Sequence, residues 1–322
     1  MSALGTAARL IEVPGNPVPE GAVVSLVAGR GRVPLRVAVW PATVRPARGT
    51  VVLVQGRAEF IEKYFEVVGE LRARGFAVVT HDLRGQGGSG RLLADPRRGH
   101  VASFHDYIAD IETVVATVAK PDLPTPIYAL AHSTGAAAVL LGVKRLHRHF
   151  ARIVGVSPLL GIRAVGAADG LVGLGLDLAC LFGLGTHQVS QRRIAAVPPG
   201  VFAGNPFTSD PTRYARVRAL AESHPELAIG PPTLRWVKAA RDATILLRKQ
   251  DLIERMTTPT LLLAGGADRI VSVPAIERLG KALPAGGAVL VPGARHELMM
   301  EQDRFRSAFW AAFDAFIPGE PG

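Results

Sequence analysis

The sequence contains little cysteine and few aromatic residues. Among its 322 residues there is one cysteine, Cys180, and aromatic side chains account for 6% of the chain. A single cysteine excludes an intramolecular disulfide, so nothing in the sequence requires an oxidising compartment. Hydrophobic residues make up 48% of the chain, and we expect alanine, valine and leucine to fill the interior. This composition is typical of a globular protein and excludes a disordered one.

Targeting and membrane-spanning patterns are also lacking. The first residues show no basic segment followed by an apolar one, and the prolines and glycines of "EVPGNPVPEG" interrupt them, which favours a cytoplasmic location. The longest apolar run, residues 164–185, contains Asp169, Asp177 and several glycines, which disfavour a transmembrane helix. We expect a buried helix of a small subdomain there. A mobile apolar lid over an alkyl-chain site is a second, compatible interpretation.

The charge balance favours anionic partners. The formal net charge is +10, from 37 lysines and arginines against 27 aspartates and glutamates. The arginines are scattered rather than gathered on one helix with aromatic residues between them, so no nucleic acid is expected as a partner. An anionic lipid surface suits this charge better. We therefore expect peripheral contact with the inner face of the membrane.

Strand and helix patterns alternate along the chain. The apolar runs "TVVLVQG" (50–56), "FAVVTHDL" (76–83) and "RIVGVSP" (152–158) predict buried strands with helical segments between them. This alternation predicts a mostly parallel α/β sheet with helices on both faces. About a hundred residues then pass before the next strand pattern, which is far too long for an ordinary connection. We predict a core of residues 1–158 and 247–322 with a mainly helical cap, or lid, at 159–246.

Three chemically suited side chains each follow a predicted strand. Ser133 follows "PIYALAH", Asp268 follows "LLLAGGA" and His296 follows "AVLVPGAR". A serine hydroxyl becomes a good nucleophile when a base takes its proton and a third group orients that base. The carboxyl ends of parallel strands meet at one edge of a sheet, so we expect these side chains to meet there. Their order along the chain, Ser, Asp, His, is that of the α/β-hydrolase fold.

The turn at the serine departs from the usual G-x-S-x-G pattern. It reads "AHSTG", with Ala131 in place of the first glycine and Gly135 in place of the second. Alanine adds only one methyl group to a turn that must be tight. We therefore still predict that Ser133 is the nucleophile rather than a buried serine in an ordinary turn.

Acyl transfer also needs hydrogen-bond donors for the tetrahedral oxygen. The backbone N–H of Thr134, directly after the serine, is one predicted donor, and that of Arg57, in the loop after "VVLVQG", is the other. The Arg57 side chain itself has two open interpretations, a role at the site or a plain solvated charge.

No cofactor or metal is expected. "RGQGGSGR" (84–91) contains a formal G-x-G-x-x-G, but proline and glycine follow where the dinucleotide fingerprint needs a helix. We interpret it as a structural loop next to the site. His132 and His81 lie at strand ends and are interpreted as structural, and the sequence shows no cluster of metal-ligand spacing.

With these residues in place, the chain resembles bacterial lysophospholipases within the monoacylglycerol-lipase-like group of α/β-hydrolases. The resemblance runs from about residue 51 to residue 303 and rests on "DLRGQGGSGRLLADPRRGHV", "LAHSTGA", "GPPTLRWV" and "GARHELMMEQD". It implies the nucleophile, acid and base at Ser133, Asp268 and His296, and a cap after Pro158. One departure lies in the oxyanion loop. The wider group usually has His-Gly there with a glutamate and a histidine further on, and this chain has "QGRAEF".

The resemblance implies hydrolysis of one carboxylic ester in a single-chain lipid, either a lysophospholipid or a monoacylglycerol, through an acyl-enzyme. Burial of an acyl chain under the cap would favour medium or long chains. Three other enzymes of the same fold stay open: a serine aminopeptidase, a thioesterase and an acyltransferase. A non-catalytic lipid-binding module is a further alternative. Dehalogenases and epoxide hydrolases are not expected, because they need a carboxylate where Ser133 stands.

Overall fold

An eight-stranded sheet forms the centre of the computed structural model, which describes residues 9–161, 169–189 and 201–318. The strand order is β1-β2-β4-β3-β5-β6-β7-β8. The strands are β1 (Val23–Ala28), β2 (Pro34–Trp40), β3 (Thr50–Val54), β4 (Ala77–His81), β5 (Ile127–His132), β6 (Arg152–Val156), β7 (Thr260–Gly265) and β8 (Gly286–Val291).

The strands β3 to β8 run parallel to one another. β1 and β2 form an antiparallel pair, and β2 is antiparallel to β4 at its place in the sheet. The register pairs Val54 with Ala131 and His132 with Val156. The carboxyl ends of β3, β5 and β6 therefore lie together at one edge of the sheet. The predicted mostly parallel α/β sheet is confirmed.

Helices cover both faces of the sheet, and several begin at a capping side chain. Ser103, Asp210 and Thr233 each accept a hydrogen bond from a backbone N–H in the first turn of the helix that follows. The α-helices are α1 (Phe65–Ala73), α2 (Phe104–Val114), α3 (Lys120–Asp122), α4 (Ser133–Leu141), α5 (Val143–Leu146), α6 (Asp169–Leu181), α7 (Pro211–Ser223), α8 (Leu234–Leu246), α9 (Gln250–Ile253), α10 (Val273–Ala282) and α11 (Asp303–Phe316).

Two apolar layers hold the helices on the sheet. On one face α2, α4, α8 and α10 share an apolar layer with the strands, in which α8 lies on α4 and α2, and on the other face α1 and α11 share a second layer. Because both faces are covered, the central strands carry continuous apolar runs instead of alternating ones. β3, β4, β5 and β7 are buried along their whole length.

The segment between β6 and β7 holds α6, α7, α8 and α9 among its described residues. α8 packs on the sheet layer, where Trp236 Nε1 donates to the Tyr107 hydroxyl at 3.2 Å. α6 lies on α8, and Lys238 Nζ of α8 is 2.9 Å from Asp177. The helical character expected of this segment is present in the described part. Its division from the core at 159 and 246 stays a prediction.

α6 exposes several apolar side chains on one side. Of its described residues, Leu174 is 57% exposed and Leu181 78%, and Phe182 directly after the helix is 76% exposed. The expectation of a buried helix is therefore wrong for this side of α6, which no other described element covers, whereas Leu176 is buried in the apolar layer that includes α8. Residues 164–168 of the predicted run lie outside the described residues. No helix within the described ranges is both long and apolar enough to cross a membrane.

Candidate active site

Ser133 lies at the turn between β5 and α4, in a backbone conformation that few residues adopt. Its φ is +49°, in the left-handed region, which costs of order 1–3 kcal/mol for a residue other than glycine. Gly135 makes the turn possible, since a Cβ at this position would overlap the Gln55 carbonyl oxygen at the end of β3. Ala131, where a glycine was expected, is fully buried in the adjoining apolar layer. The missing glycine is thus tolerated.

The three predicted triad residues are in contact at the carboxyl edge of the sheet. His296 Nε2 is 3.1 Å from Ser133 Oγ, and His296 Nδ1 is 2.7 Å from Asp268 Oδ2. Both distances are those of hydrogen bonds, and all three residues are buried. Side chains from three distant parts of the sequence therefore form one chain of hydrogen bonds, the arrangement that activates a serine hydroxyl.

Asp268 is held by the backbone as well as by His296. Its Oδ1 accepts hydrogen bonds from the N–H groups of Ile270 at 2.7 Å and Val271 at 3.1 Å. Burial acts to raise the pKa of Asp268, but the attraction of His296 and these hydrogen bonds outweigh it and hold the pKa below its ordinary value. The carboxylate is therefore ionised at neutral pH and can orient the imidazole.

The two predicted oxyanion donors lie beside the serine turn. Thr134 is the second residue of α4, where a backbone N–H has no acceptor within the helix. Arg57 follows β3, the strand that Gly135 packs against. Within the described part of the chain, neither backbone N–H donates to a protein acceptor. Both are thus available to a ligand oxygen, and their role in binding it stays a prediction.

The glycine-rich loop supports the oxyanion loop. Gln86 Nε2 donates to the Gly56 carbonyl at 2.7 Å, and Gln86 Oε1 accepts from the Ala58 N–H at 3.2 Å. Asp82, just before this loop, accepts from the N–H groups of Ile61 and Gly88. These contacts fit the structural interpretation of residues 84–91.

A buried cluster of charged residues lies behind the triad, and we call it the Glu59 cluster: Glu59, Lys63, Tyr64, His132 and Glu297. Lys63 Nζ is 2.8 Å from Glu59 Oε1 and 2.7 Å from Glu297 Oε1. The Tyr64 hydroxyl donates to Glu59 Oε2 at 2.7 Å. All members except Glu297 are buried. Opposite charges therefore face each other here with little water between them.

The Glu59 cluster joins the oxyanion loop to the loop that carries His296. On one side the Gly56 N–H donates to Glu59 Oε2. On the other side, His132 Nδ1 is 2.9 Å from Glu59 Oε1 as an ion pair, and His132 Nε2 is 3.3 Å from the His296 carbonyl oxygen. Glu297, the neighbour of His296, completes the connection through Lys63.

Charge pairing outweighs burial throughout this cluster. Burial acts to raise the pKa of Glu59, but His132 and Lys63 hold it well below its ordinary value. Burial acts to lower the pKa of His132, but Glu59 outweighs it and the pKa is raised. The pKa of Lys63 is likewise raised, because Glu297 and Glu59 outweigh burial. The folded state thus favours the ion-paired forms.

Lys63 and Glu297 were not found from the sequence. The only signal is the spacing of four between Glu59 and Lys63, which is typical of a pair on a helix surface. That spacing does not tell a buried pair from an exposed one. Glu297 offers no local signal, because its partner comes from a different part of the chain.

The Arg57 side chain is half-buried, so the interpretation as a plain solvated charge is wrong. Its guanidinium lies over the Trp236 ring, 5.3 Å from the centroid, and its Nη2 donates to the Gly230 carbonyl oxygen. Its Nε is enclosed and has no hydrogen-bond partner among the residues that the structure describes.

Among the described residues, no group of three or more His, Cys, Asp or Glu is placed to hold a metal ion.

The amino-acid sequence matches a family of known proteins. The family model described as "Serine aminopeptidase, S33" matches residues 45–303. The chain belongs to this family. Lysophospholipase L2 of Escherichia coli K12 is 33% identical over 278 residues, which cover 83% of this chain and 79% of that protein. Monoglyceride lipase of Rattus norvegicus is 25% identical over 256 residues, 79% of this chain and 77% of that protein. The resemblance to bacterial lysophospholipases is confirmed.

Solved structures agree on the fold. A soluble variant of monoglyceride lipase from Saccharomyces cerevisiae, in complex with a substrate analog, aligns with a TM-score of 0.71 at 18% identity and covers 91% of this chain and 94% of that chain. A thermostable carboxyl esterase from Bacillus coagulans, in complex with glycerol, gives 0.73 at 15% identity, with 93% and 100% covered. At these identities the likeness carries the fold alone, and the predicted α/β-hydrolase fold is confirmed.

Proposed function

We propose that this chain is a serine hydrolase that cleaves the carboxylic ester of a single-chain lipid, either a lysophospholipid or a monoacylglycerol. The observation that carries the proposal is the hydrogen-bonded series Ser133, His296, Asp268 at the carboxyl edge of the sheet. Lysophospholipase L2 and monoglyceride lipase, which match most of the chain, support the lipid class of substrate.

The mechanism follows from the contacts. His296 Nε2 takes the proton of the Ser133 hydroxyl as the oxygen attacks the ester carbon. The N–H groups of Arg57 and Thr134 bind the oxygen that becomes negative, and Asp268 stabilises the imidazolium. His296 then gives the proton to the departing alcohol, and water releases the fatty acid from the acyl-enzyme by the same steps. No step calls for a cofactor.

A peptide amine is disfavoured as a substrate group. An aminopeptidase must hold a positive amine close to the scissile bond, and this requires carboxylates at that place. The charged side chain of the oxyanion loop that contacts the helical segment, through Gly230 and Trp236, is instead Arg57, a cation. An uncharged or anionic substrate fits this charge better. The serine aminopeptidase alternative therefore has no support from the charges at the site.

Contact with an anionic membrane belongs to the same proposal. The helical segment between β6 and β7 serves as the cap, and α6 offers exposed Leu174, Leu178, Leu181 and Phe182 to the lipid phase. The net charge of +10 attracts the molecule to anionic headgroups. An enzyme bound to such a surface is close to the single-chain lipids that are dissolved in the membrane. The cytoplasmic location expected from the sequence stays a prediction.

Replacement of the nucleophile tests the function. We expect wild-type protein to release fatty acid from monooleoylglycerol and oleoyl-lysophosphatidylglycerol, and to react covalently with a fluorophosphonate probe. Ser133→Ala should lose both activities by at least a thousandfold, because no other group supplies the nucleophile. Ser157→Ala, which alters a buried serine at the end of the neighbouring strand, is the matched control. Labelling that persists in Ser133→Ala would refute the assignment.

A further inference from the structure

The Arg57 guanidinium occupies the junction between the oxyanion loop and the helical segment. Its Nη2 donates to the Gly230 carbonyl oxygen, and the group lies over Trp236 of α8. Gly99 leaves room for it, since a Cβ there would collide with Nη2. The residue thus sends its backbone N–H toward the reacting oxygen and its charge toward the segment that would cover a substrate.

This charge has no counter-ion within the described part of the protein. The phenol of Tyr107 interacts with the Arg57 charge but is neutral at pH 7, and no described carboxylate lies within ion-pair distance of Arg57. Burial lowers the pKa of Arg57 to about 10, so the side chain stays positive at neutral pH. A half-buried charge without an opposite charge is unfavourable until something supplies one.

Three arginines are more deeply buried than Arg57, and each of them has a carboxylate partner. Arg36 pairs with carboxylates at 2.6 and 2.7 Å, and Arg84 pairs with Asp110 at 2.6 Å. Arg306 pairs with Glu66 at 3.2 Å. Each of these three buried guanidinium groups has a carboxylate partner, whereas half-buried Arg57 has none among the described residues. Arg57 differs from the other half-buried arginines in its place, because its backbone N–H is the predicted donor to the oxygen of the scissile ester.

We propose that Arg57 is a specificity-determining residue whose guanidinium binds the phosphate of a lysophospholipid and so favours that substrate over a monoacylglycerol. This inference rests on the proposed function. In a lysophospholipid the glycerol unit separates the ester from the phosphate, and the arginine side chain spans a similar length from the N–H that binds the ester oxygen. The planar, forked guanidinium matches phosphate oxygens. A monoacylglycerol offers no charge there.

Two substrates with the same acyl chain test the inference. We would measure kcat and KM for oleoyl-lysophosphatidylglycerol and monooleoylglycerol in mixed micelles of a non-ionic detergent. In Arg57→Met the ratio of the two kcat/KM values, lysophospholipid over monoacylglycerol, should fall at least tenfold, mainly through a higher KM. This follows because one charge-assisted contact is lost with the first substrate only. Arg57→Lys should restore part of the ratio. Arg304→Met, a change of an exposed arginine, should leave it as in wild type.

A second measurement uses wild-type protein alone and does not depend on the folding of a variant. A non-cleavable ether lysophospholipid should inhibit monooleoylglycerol hydrolysis at a concentration at least tenfold lower than the matching ether glycerol. Equal inhibition by both ethers, or an unchanged substrate ratio in Arg57→Met, would overturn the inference and leave the hydrolase intact. If wild-type protein cleaves monooleoylglycerol and rejects the lysophospholipid, only the inference fails. If it cleaves neither, the proposed function fails as well.

Discussion

Single residues at this site act through charges that are buried together. Lys63 shows this most clearly, because its ammonium group lies between Glu59 and Glu297 and is almost completely enclosed. Removal of one partner from such a set leaves the others charged and without water. The Glu59 cluster also touches Gly56 of the oxyanion loop and the His296 carbonyl. Its loss should therefore disturb catalysis as well as stability.

The first prediction concerns Lys63→Met, which keeps the length of the side chain and removes its charge. We expect the free energy of unfolding to fall by about 3 kcal/mol, because two carboxylates lose their shared cation. Urea unfolding followed by circular dichroism measures the fall, and kcat should drop with KM less affected. Lys144→Met, on an exposed position of α5, is the control. Equal stability of the two variants would contradict the prediction.

The triad could be predicted from the sequence and the Glu59 cluster could not. Ser133, Asp268 and His296 each follow an apolar run that forms a parallel strand, and the fold fixes where such strands end. The pairing of Lys63 with Glu297 depends instead on how two loops pack. The local sequence does not predict that packing. Lysine and glutamate are usually solvated, so nothing near them in the sequence indicates that they are buried together. The same reason left the Arg57 side chain with two interpretations.

At the scale of elements, one residue of α1 connects the helical segment to the core. Glu66 accepts from Arg213 of α7 at 2.6 Å and from Arg216 at 2.8 Å, and it also pairs with Arg306 of α11. Burial acts to raise the pKa of Glu66, but the hydrogen bond from Arg213 and the attraction of Arg306 outweigh it and lower the pKa to about 2. Three helices thus share one carboxylate.

Glu66→Gln should therefore destabilise the protein in a pH-dependent way. A carboxylate whose pKa is lower in the folded state stabilises that state at pH values above its unfolded pKa, and the stabilisation is lost as the pH falls towards 2. We expect a difference from wild type of about 2 kcal/mol at pH 7, reduced by solvent screening of these partly exposed pairs, and less than half of it at pH 3. Urea unfolding at both pH values measures it. Glu222→Gln, in an exposed pair, should change stability little at either pH, and a pH-independent loss in Glu66→Gln would contradict the assignment.

α6 shows where element-level reasoning from sequence fails. Its apolar run predicts a helix, which the structure shows over Asp169–Leu181, and it predicts burial, which is wrong for the exposed side. The hydrophobicity of a side chain predicts that it is shielded from water. It does not predict whether protein or lipid provides that shielding. With glycines and aspartates spaced along it, the helix has too little continuous apolar length to span a bilayer. Contact of its exposed side with a lipid surface is part of the proposed function.

At the scale of the whole molecule, the proposed membrane contact combines the net charge with the exposed side of α6. In this proposal, electrostatic attraction draws the protein to an anionic surface over a distance set by the ionic strength, and apolar side chains then enter the interface. Neither contribution alone gives firm binding to a membrane. The proposal therefore requires that both contributions act on the same side of the molecule as the active site.

Vesicle binding separates the two contributions. We expect sedimentation with vesicles containing phosphatidylglycerol to weaken as salt rises from 0.05 to 0.5 M, because screening shortens the range of attraction. The double variant Leu181→Ser, Phe182→Ser should bind at least tenfold more weakly at every salt concentration. Val289→Ser, at an exposed apolar position of β8, should bind as wild type does. If binding depends on salt and is unchanged in the double variant, the apolar contribution of α6 is contradicted and only the electrostatic contribution remains.

The lone thiol of this protein lies on the same helix. Cys180 is half-buried on α6, directly before Leu181 and Phe182. A maleimide fluorophore would therefore attach at one defined point, without any engineered mutation. Its emission colour would shift to the blue when the helix leaves water, so substrate turnover and the position of the helix could be recorded in the same cuvette.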